Sequence, residues 1–174
     1  MLKFWKSGDV NKNERVEEKL YRWLLEEGFT VEKVLDTNSI FRYFATKNGP
    51  PKFSIFQSRS KSDCIIVESG VAYNREDEIL SRSFQNQTLI LEIISNLLCK
   101  GFIYKIQPPQ LQADKAGGIV FAKPIYYDGL SKDRFVETTS QTINMAIFII
   151  VTLQRHATAS TNSVTTPNKI QYLT

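Results

Sequence analysis

Residues 39–69 read SIFRYFATKNGPPKFSIFQSRSKSDCIIVES, three apolar segments separated by two clusters of turn residues. The segments SIFRYFATK, KFSIFQS and DCIIVES are rich in the β-branched and aromatic residues that favour strands. The clusters NGPP and RSKS contain the Gly, Pro, Asn and Ser residues that are typical of tight turns. The pattern therefore predicts an antiparallel meander, which FTVEKVL at residues 29–35 extends from three strands to four.

Alternation along these strands assigns their side chains to two faces of the predicted sheet, because successive side chains point to opposite faces. One face is apolar throughout and consists of Phe41, Tyr43, Phe53, Ile55, Ile65 and Val67. The other face mixes polar and apolar residues: Arg42 and Phe44, Ser54 and Phe56 and, in a later segment, Ile103 and Lys105. We expect this second face to be partly covered by a second subunit, by a peptide or by the protein's own long helix.

Two helices flank the meander. The first is predicted between Asn13, as its N-cap, and Gly28, which follows its last turn. Its apolar residues recur at helical spacing: Val16, Leu20, Trp23 and Leu24. The second helix is predicted in QTLILEIISNLLCKG and ends at Gly101. Its predicted core stripe consists of Ile90, Ile93, Ile94, Leu97 and Leu98.

A long final helix is predicted from the N-cap Ser131, with Asp133 in its first turn. Its most apolar run, INMAIFIIVTL at residues 143–153, has little more than half of the about 20 residues that a membrane span requires, so we expect no span. Apolar residues extend beyond one stripe, so cover on more than one side is expected, by the sheet together with another subunit or by a deep core. A buried strand over residues 146–153 is the alternative.

FIYKIQ and GIVFAKPIYY, at residues 102–107 and 118–127, predict two further strands, and Pro124 indicates an edge or a bulge in the second of them. The predicted order is α-β-β-β(-β)-α-β-β-α, with the helices packed on a mainly antiparallel sheet, which is an α+β fold. The predicted domain covers residues 13–156, between a flexible N-terminal segment at 1–12 and a flexible C-terminal tail at 157–174.

Charge and composition exclude few functions. The net charge of +4 permits an acidic partner, and the N-terminus lacks the apolar core of a secretory signal, so a cytoplasmic protein is expected. Cys64 and Cys99 lie in apolar surroundings, which favours two buried free thiols and leaves one disulfide as the alternative. The basic residues Arg59, Lys61, Lys47 and Lys52, together with Arg42, make a nucleic-acid-binding accessory protein the alternative function.

Reactive residues show no catalytic pattern. His156 is the single histidine and is expected at the end of the last helix, in a capping or solvated role. No motif for a metal, a nucleotide or a catalytic triad can be assembled around it, so we expect no catalytic residue, no metal and no cofactor. An enzyme with dispersed carboxylates remains a third hypothesis, and it predicts a deep pocket with perturbed acids.

The segment VEEKLYRWLLEEGFTVEKVLDTNSIFRYF, the central ILEIISNLL and the closing helix resemble an archaeal family of small uncharacterised proteins with a domain similar to type III secretion chaperones. The likeness covers roughly residues 14–154, with one strand more before the middle helix than the chaperones have. The resemblance implies a non-catalytic homodimer that binds protein or peptide segments on apolar surface. Alternation then indicates Arg42, Phe44, Phe56 and Ile103 as the partner-binding patch.

Overall fold

The computed structural model describes residues 8–73, 86–107, 117–160 and 171–172 of the 174-residue chain. Its helices are α1 (Gly8–Glu26), α2 (Gln87–Cys99) and α3 (Lys132–Ser160), and a single 3-10 turn (Tyr127–Gly129) precedes α3. Its strands are β1 (Thr30–Lys33), β2 (Ser39–Thr46), β3 (Phe53–Ser58), β4 (Cys64–Tyr73), β5 (Ile103–Gln107), β6 (Gly117–Tyr126) and β7 (Gln171–Tyr172). The predicted α+β class and the order of the elements are confirmed.

The strands form one antiparallel sheet in the order β1-β2-β3-β4-β6-β5, and β7 pairs with β4. The β4–β6 ladder is the longest and runs from Cys64↔Tyr126 to Tyr73↔Gly117. β5 pairs with β6 only as far as Ala122, so Pro124 has a strand partner in β4 alone. β6 is locally an edge at Pro124, as the missing N–H of proline requires and as the sequence predicted.

The three helices pack on the same face of the sheet. In one core cluster, α1 and the start of α3 cover β2, β3 and β4 through Leu24, Phe135 and Ile55. In the other, α2 and the rest of α3 cover β4 and β6 through Leu97 and Phe121. The six residues of the predicted apolar face are all buried, which confirms that face. The long helix lies on this side, so it does not cover the half-apolar face.

Helix α3 is helical throughout residues 146–153, which excludes the alternative of a buried strand there. Ala146, Ile149 and Leu153 are fully buried, whereas Ile147 and Val151 are exposed, so the cover is one-sided along this stretch. Among the described residues, one helix, Lys132–His156, is long and apolar enough to cross a membrane, judged by length and composition alone. The core helix of a soluble protein meets the same criterion, and 44% of the most apolar window is buried.

Some of the helix ends predicted from local sequence signals are confirmed, and one is wrong. Ser131 Oγ accepts a hydrogen bond from the Arg134 N–H at 3.2 Å, which confirms the predicted N-cap. Gly28 and Gly101 have φ values of 79° and 72°, the left-handed conformation expected after a last turn. The predicted N-cap at Asn13 is wrong, since α1 begins at Gly8 and Asn13 lies within the helix. An Asn inside a helix lowers its stability only slightly.

Some helical and strand residues lie outside the predicted domain limits of residues 13–156. Residues 8–12 belong to α1, residues 157–160 belong to α3, and β7 lies within the predicted tail. His156 therefore lies inside α3 rather than at its end. The remaining residues of the two predicted flexible segments, 1–7, 161–170 and 173–174, lie outside the described residues, and the flexibility itself stays a prediction.

Two further predictions are corrected: the core stripe of α2 and the burial of both cysteines. Leu98 is 57% exposed and Ile94 is half-buried, while Leu89 joins the core instead, because the sheet lies nearer to the Leu89 side of the helix. Both cysteines are free, but only Cys64 is buried. Cys99 is exposed because it lies on the outer side of the last turn of α2.

The burial of α2 predicts a clear difference between two neighbouring apolar residues. Ile93→Ala should lower the free energy of unfolding by about 2–5 kcal/mol, because it leaves a cavity in the core, whereas Leu98→Ala should lower it by less than about 1 kcal/mol. Urea unfolding of both variants measures the difference. Equal losses would show that the outer side of α2 is buried in the protein in solution.

Candidate partner-binding face of the sheet

The half-apolar side of the sheet, here called the open face, has none of the three helices packed on it. Phe44 and Ile103 lie in one row across the sheet, and the residues between them are Ser54, Glu68 and Ala122. Four strand spacings of about 4.8 Å separate the two apolar side chains by roughly 19 Å. Ile103 is 59% exposed. It therefore shares the face with the other predicted patch residues but not their immediate surroundings.

The remaining three patch residues form one contact group. Arg42 lies opposite Phe56 in the β2–β3 register, and its guanidinium carbon is 4.4 Å from the centroid of the Phe56 ring. The same carbon is 6.0 Å from the Phe44 centroid. Both phenyl rings are half-buried. The structure thus brings Arg42, Phe44 and Phe56 together and places Ile103 on another strand of the same face.

Arg42 is held by two carboxylates that the sequence analysis missed. Its Nη1 donates to Asp36 Oδ2 at 3.0 Å, and its Nη2 donates to Glu68 Oε1 at 2.9 Å. The Ser54 hydroxyl donates to the same Glu68 oxygen at 3.3 Å. Arg42 was predicted as a partner-binding residue, but its charge is already matched within the protein. Its planar guanidinium group instead packs against the Phe56 ring.

Asp36 has a locally ordered carboxylate. The Ser39 hydroxyl and the Asn38 N–H donate to it at 2.7 and 2.9 Å, and together with Arg42 they lower the pKa of Asp36 below its ordinary value. The turn sequence DTNS was a local signal for this arrangement, because Asp side chains commonly accept hydrogen bonds from the following residues. Glu68 had no such signal, since its distance from Arg42 depends on the register of three strands.

A channel with a cavity of about 240 Å³ lies on the open face. Its lining includes Arg42, Phe44, Lys52, Ser54, Glu68, Gly70, Gln107 and Val120. Small residues, Ser54 and Gly70, lie in its floor. Gly118 lies nearby, opposite Gln107 in the β5–β6 register. A Cβ at Gly118 would lie 2.5 Å from the Val71 carbonyl oxygen, so no larger residue fits there without moving the strands. The aromatic group around Arg42 lies on one side of this floor, and β5 lies on the other.

The basic residues of the predicted nucleic-acid surface are separated. Lys47 and Lys52 lie in the β2–β3 turn, whereas Arg59 and Lys61 lie in the β3–β4 turn, at the other end of β3 and roughly 20 Å away. Lys47 Nζ donates to the Glu27 carbonyl oxygen at 2.6 Å, and Arg59 Nε donates to the Thr37 carbonyl oxygen at 3.1 Å. With Arg42 paired as well, these residues do not form one continuous basic patch.

Comparison with known proteins gives a family. Residues 16–153 match the model of the family described as Uncharacterized conserved protein (DUF2299). The chain belongs to this family. It is also similar in structure to an uncharacterized protein from Methanothermobacter thermautotrophicus, with a TM-score of 0.68 and 22% identity, over 80% of this chain and 96% of that one. Among curated proteins, none matches the chain.

Membership of the DUF2299 family confirms the expected relationship to small uncharacterised proteins, and the structural neighbour is archaeal. At this identity the similarity supports the fold alone. Neither comparison supports the finer resemblance to secretion chaperones.

Several other polar groups of this DUF2299 member lie outside the open face. The described residues contain no group of three or more His, Cys, Asp or Glu side chains that could hold a metal ion. His156 Nε2 lies 3.4 Å from the side-chain nitrogen of Asn86, the N-cap of α2. The pKa of Glu26 is lowered, mainly by a hydrogen bond from Lys132. Glu26 and Asp36 are thus both held in the ionised form.

The lowered pKa of Asp36 predicts a pH-dependent stability. A carboxyl group whose folded-state pKa is lowered stabilises the fold above its unfolded-state pKa, and this contribution is lost as the pH falls through the folded-state pKa. Asp36→Asn should therefore destabilise the protein at about pH 7, and the difference from wild type should shrink below about pH 4.

Urea unfolding at a series of pH values measures this difference. Glu32→Gln is the matched control, because Glu32 is exposed on β1 and has no ion pair among the described residues. A difference between wild type and Asp36→Asn that stays constant with pH would contradict the assignment.

Proposed function

We propose that this protein binds an extended, acidic segment of another protein along the channel on its open face. The observation that carries the proposal is a sheet face on which none of the described helices packs. Small residues lie in its floor, and its two sides carry lysines that have no carboxylate partner in the part of the chain that the structure describes. The proposal goes beyond family membership, which supplies no activity and no partner.

The first support is the apolar surface that a bound segment would cover. Phe44 and Phe56 are half-buried on one side of the channel, and Ile103 is exposed on the other. Burying such surface contributes a favourable free energy of about 25 cal/mol per Å² of apolar area, before the entropy that association costs is subtracted.

The second support is shape. The floor at Ser54 and Gly70 lets another main chain approach the sheet closely, and an extended segment presents alternate side chains to such a surface. Apolar side chains of the segment would then contact the Phe44 and Ile103 sides, while its polar side chains point elsewhere.

The third support is charge. Lys52 lines the cavity, and Lys105 lies beside Val120 in the β5–β6 register, on the opposite side. Neither lysine has an ion-pair partner among the residues that the structure describes, whereas Arg42 is paired with both Asp36 and Glu68. Unpaired lysines on both sides favour an acidic ligand and increase its association rate.

The resemblance to secretion chaperones implies a related mode of binding, in which extended partner segments lie over apolar patches. The homodimer and the cytoplasmic location expected from the sequence stay predictions, and the proposed binding requires neither of them.

Charge reversal on the two sides of the channel tests the proposal. The probe is a short fluorescein-labelled peptide that alternates Glu with Val, and the measurement is fluorescence anisotropy. Lys52→Glu combined with Lys105→Glu should weaken binding by about tenfold or more, because two attractive charges become repulsive. The matched control is Lys19→Glu combined with Lys61→Glu, which changes the net charge equally at exposed positions outside the channel.

Three results would contradict the proposal. The first is no saturable binding of the probe to the wild-type protein. The second is an equal loss in the two double variants, which would indicate non-specific attraction. The third is tighter, salt-dependent binding of single-stranded DNA that is lost in the variant containing Lys61→Glu, which would support the nucleic-acid alternative.

A pair of phenylalanines distinguishes the binding surface from the core. Phe44→Ser should weaken peptide binding while lowering the free energy of unfolding by about 1–2 kcal/mol, because the ring is only half-buried. Phe53→Ala should lower it by about 3–5 kcal/mol, because Phe53 is 2% exposed on the helix side. Urea unfolding and anisotropy on the same samples measure both effects. A Phe44→Ser variant that is as unstable as Phe53→Ala would make Phe44 a core residue.

A further inference from the structure

A second cavity, of about 270 Å³, lies on the helix side of the sheet, away from the open face. It is lined by residues at the end of α1, before β1, at the end of β2 and on the outer flank of α3. Its lining includes Glu27, Phe29, Lys47, Phe135, Thr139 and Ile143. Its volume is close to the lower limit of about 300 Å³ for ligand pockets, so it suits a compact small molecule.

The walls of this cavity belong to the core and are held in place. Phe29 packs edge to face on Phe53, with ring centroids 5.3 Å apart. Phe135 is 1% exposed and packs on Trp23 at 5.8 Å. Rings fixed in this way make the cavity preformed, which lowers the free-energy cost of binding a ligand there.

Thr139 supplies a buried polar group that is unused in the protein. The residue is 2% exposed and lines the cavity, and its Oγ1 has no hydrogen-bond partner among the described residues. Thr142, on the next turn, satisfies its own hydroxyl by donating to the Thr138 carbonyl oxygen at 2.8 Å. Buried polar groups are nearly always hydrogen-bonded. An unpartnered hydroxyl in a cavity wall therefore indicates a ligand with a polar atom at its inner end.

Lys47 supplies a cation at the outer end. Its Nζ donates to the Glu27 carbonyl oxygen and lies 5.5 Å from the Phe29 ring centroid. The Glu27 carboxylate is engaged by Lys132 at 3.3 Å, and Lys47 has no carboxylate partner in the described part of the chain. An ammonium group carries three donors, so two of them stay available to an anion.

We propose that this cavity binds a small carboxylic acid with an aromatic or branched aliphatic body and a second polar atom at its far end. The Lys47 ammonium group holds the carboxylate, the rings of Phe29 and Phe135 together with Ile143 contact the body, and the Thr139 hydroxyl bonds the inner polar atom. This site is independent of the peptide-binding channel, because the two lie on opposite sides of the sheet.

Three probes separate the two polar contacts in isothermal titration calorimetry: para-hydroxyphenylpropionate, phenylpropionate without the inner hydroxyl, and para-hydroxyphenylpropanamide without the charge. The wild-type protein should bind the first most tightly. Lys47→Gln should weaken it by about tenfold, to the affinity of the amide. Thr139→Val should remove its preference over phenylpropionate, and it should raise the melting temperature of the ligand-free protein because it removes an unpartnered buried hydroxyl.

Lys52→Gln is the matched control, because Lys52 lies in the same β2–β3 turn region but lines the channel on the other face. Amide chemical-shift changes in the wild-type protein give a readout that does not depend on any variant. They should centre on residues 27–29, 47 and 135–144. The proposal is overturned by absence of saturable binding to the wild-type protein, by equal losses in Lys47→Gln and Lys52→Gln, or by shift changes centred on the open face.

Discussion

The antiparallel ladder between β4 and β6 is the pairing on which the rest of the structure depends. β4 ends the N-terminal meander, whereas β6 follows α2 and β5, so this ladder joins the two halves of the chain. β4 contributes Ile65 and Val67 to one core cluster and Val71 to the other. These three side chains point to the same side of the sheet, and the three described helices pack there. As a result, no described helix packs on the opposite face.

The fold was predictable because its signals are local. Turn clusters separate the strands of the meander, Gly28 and Gly101 end two helices, and alternation separates the faces within each strand. These signals depend on a few neighbouring residues, so they can be recognised without knowing which strand is the partner. The outer boundary of α1 had no comparable signal, since polar residues such as Asn13 suit both a cap and an exposed helical turn.

The candidate sites were predictable only in part. Alternation placed Arg42, Phe44, Phe56 and Ile103 on one face, but it gave no register, so the ion pairs of Arg42 were missed. The register of the β2–β3 pairing shifts between Ser39 and Phe41, and no sequence pattern predicts this shift. The cavity beside Thr139 depends on the gap between two helices and the sheet. Such a gap arises from tertiary packing and leaves no periodic trace in the chain.

The two outermost strands limit how this molecule associates with copies of itself. β1 is four residues long and includes the charged pair Glu32 and Lys33, while β5 is five residues long and includes Lys105. Short, charged border strands resist lateral growth of a sheet by pairing with another molecule, which is the first step towards fibrils. Such borders disfavour edge-to-edge pairing between copies of this protein, even though none of the described helices covers one side of its sheet.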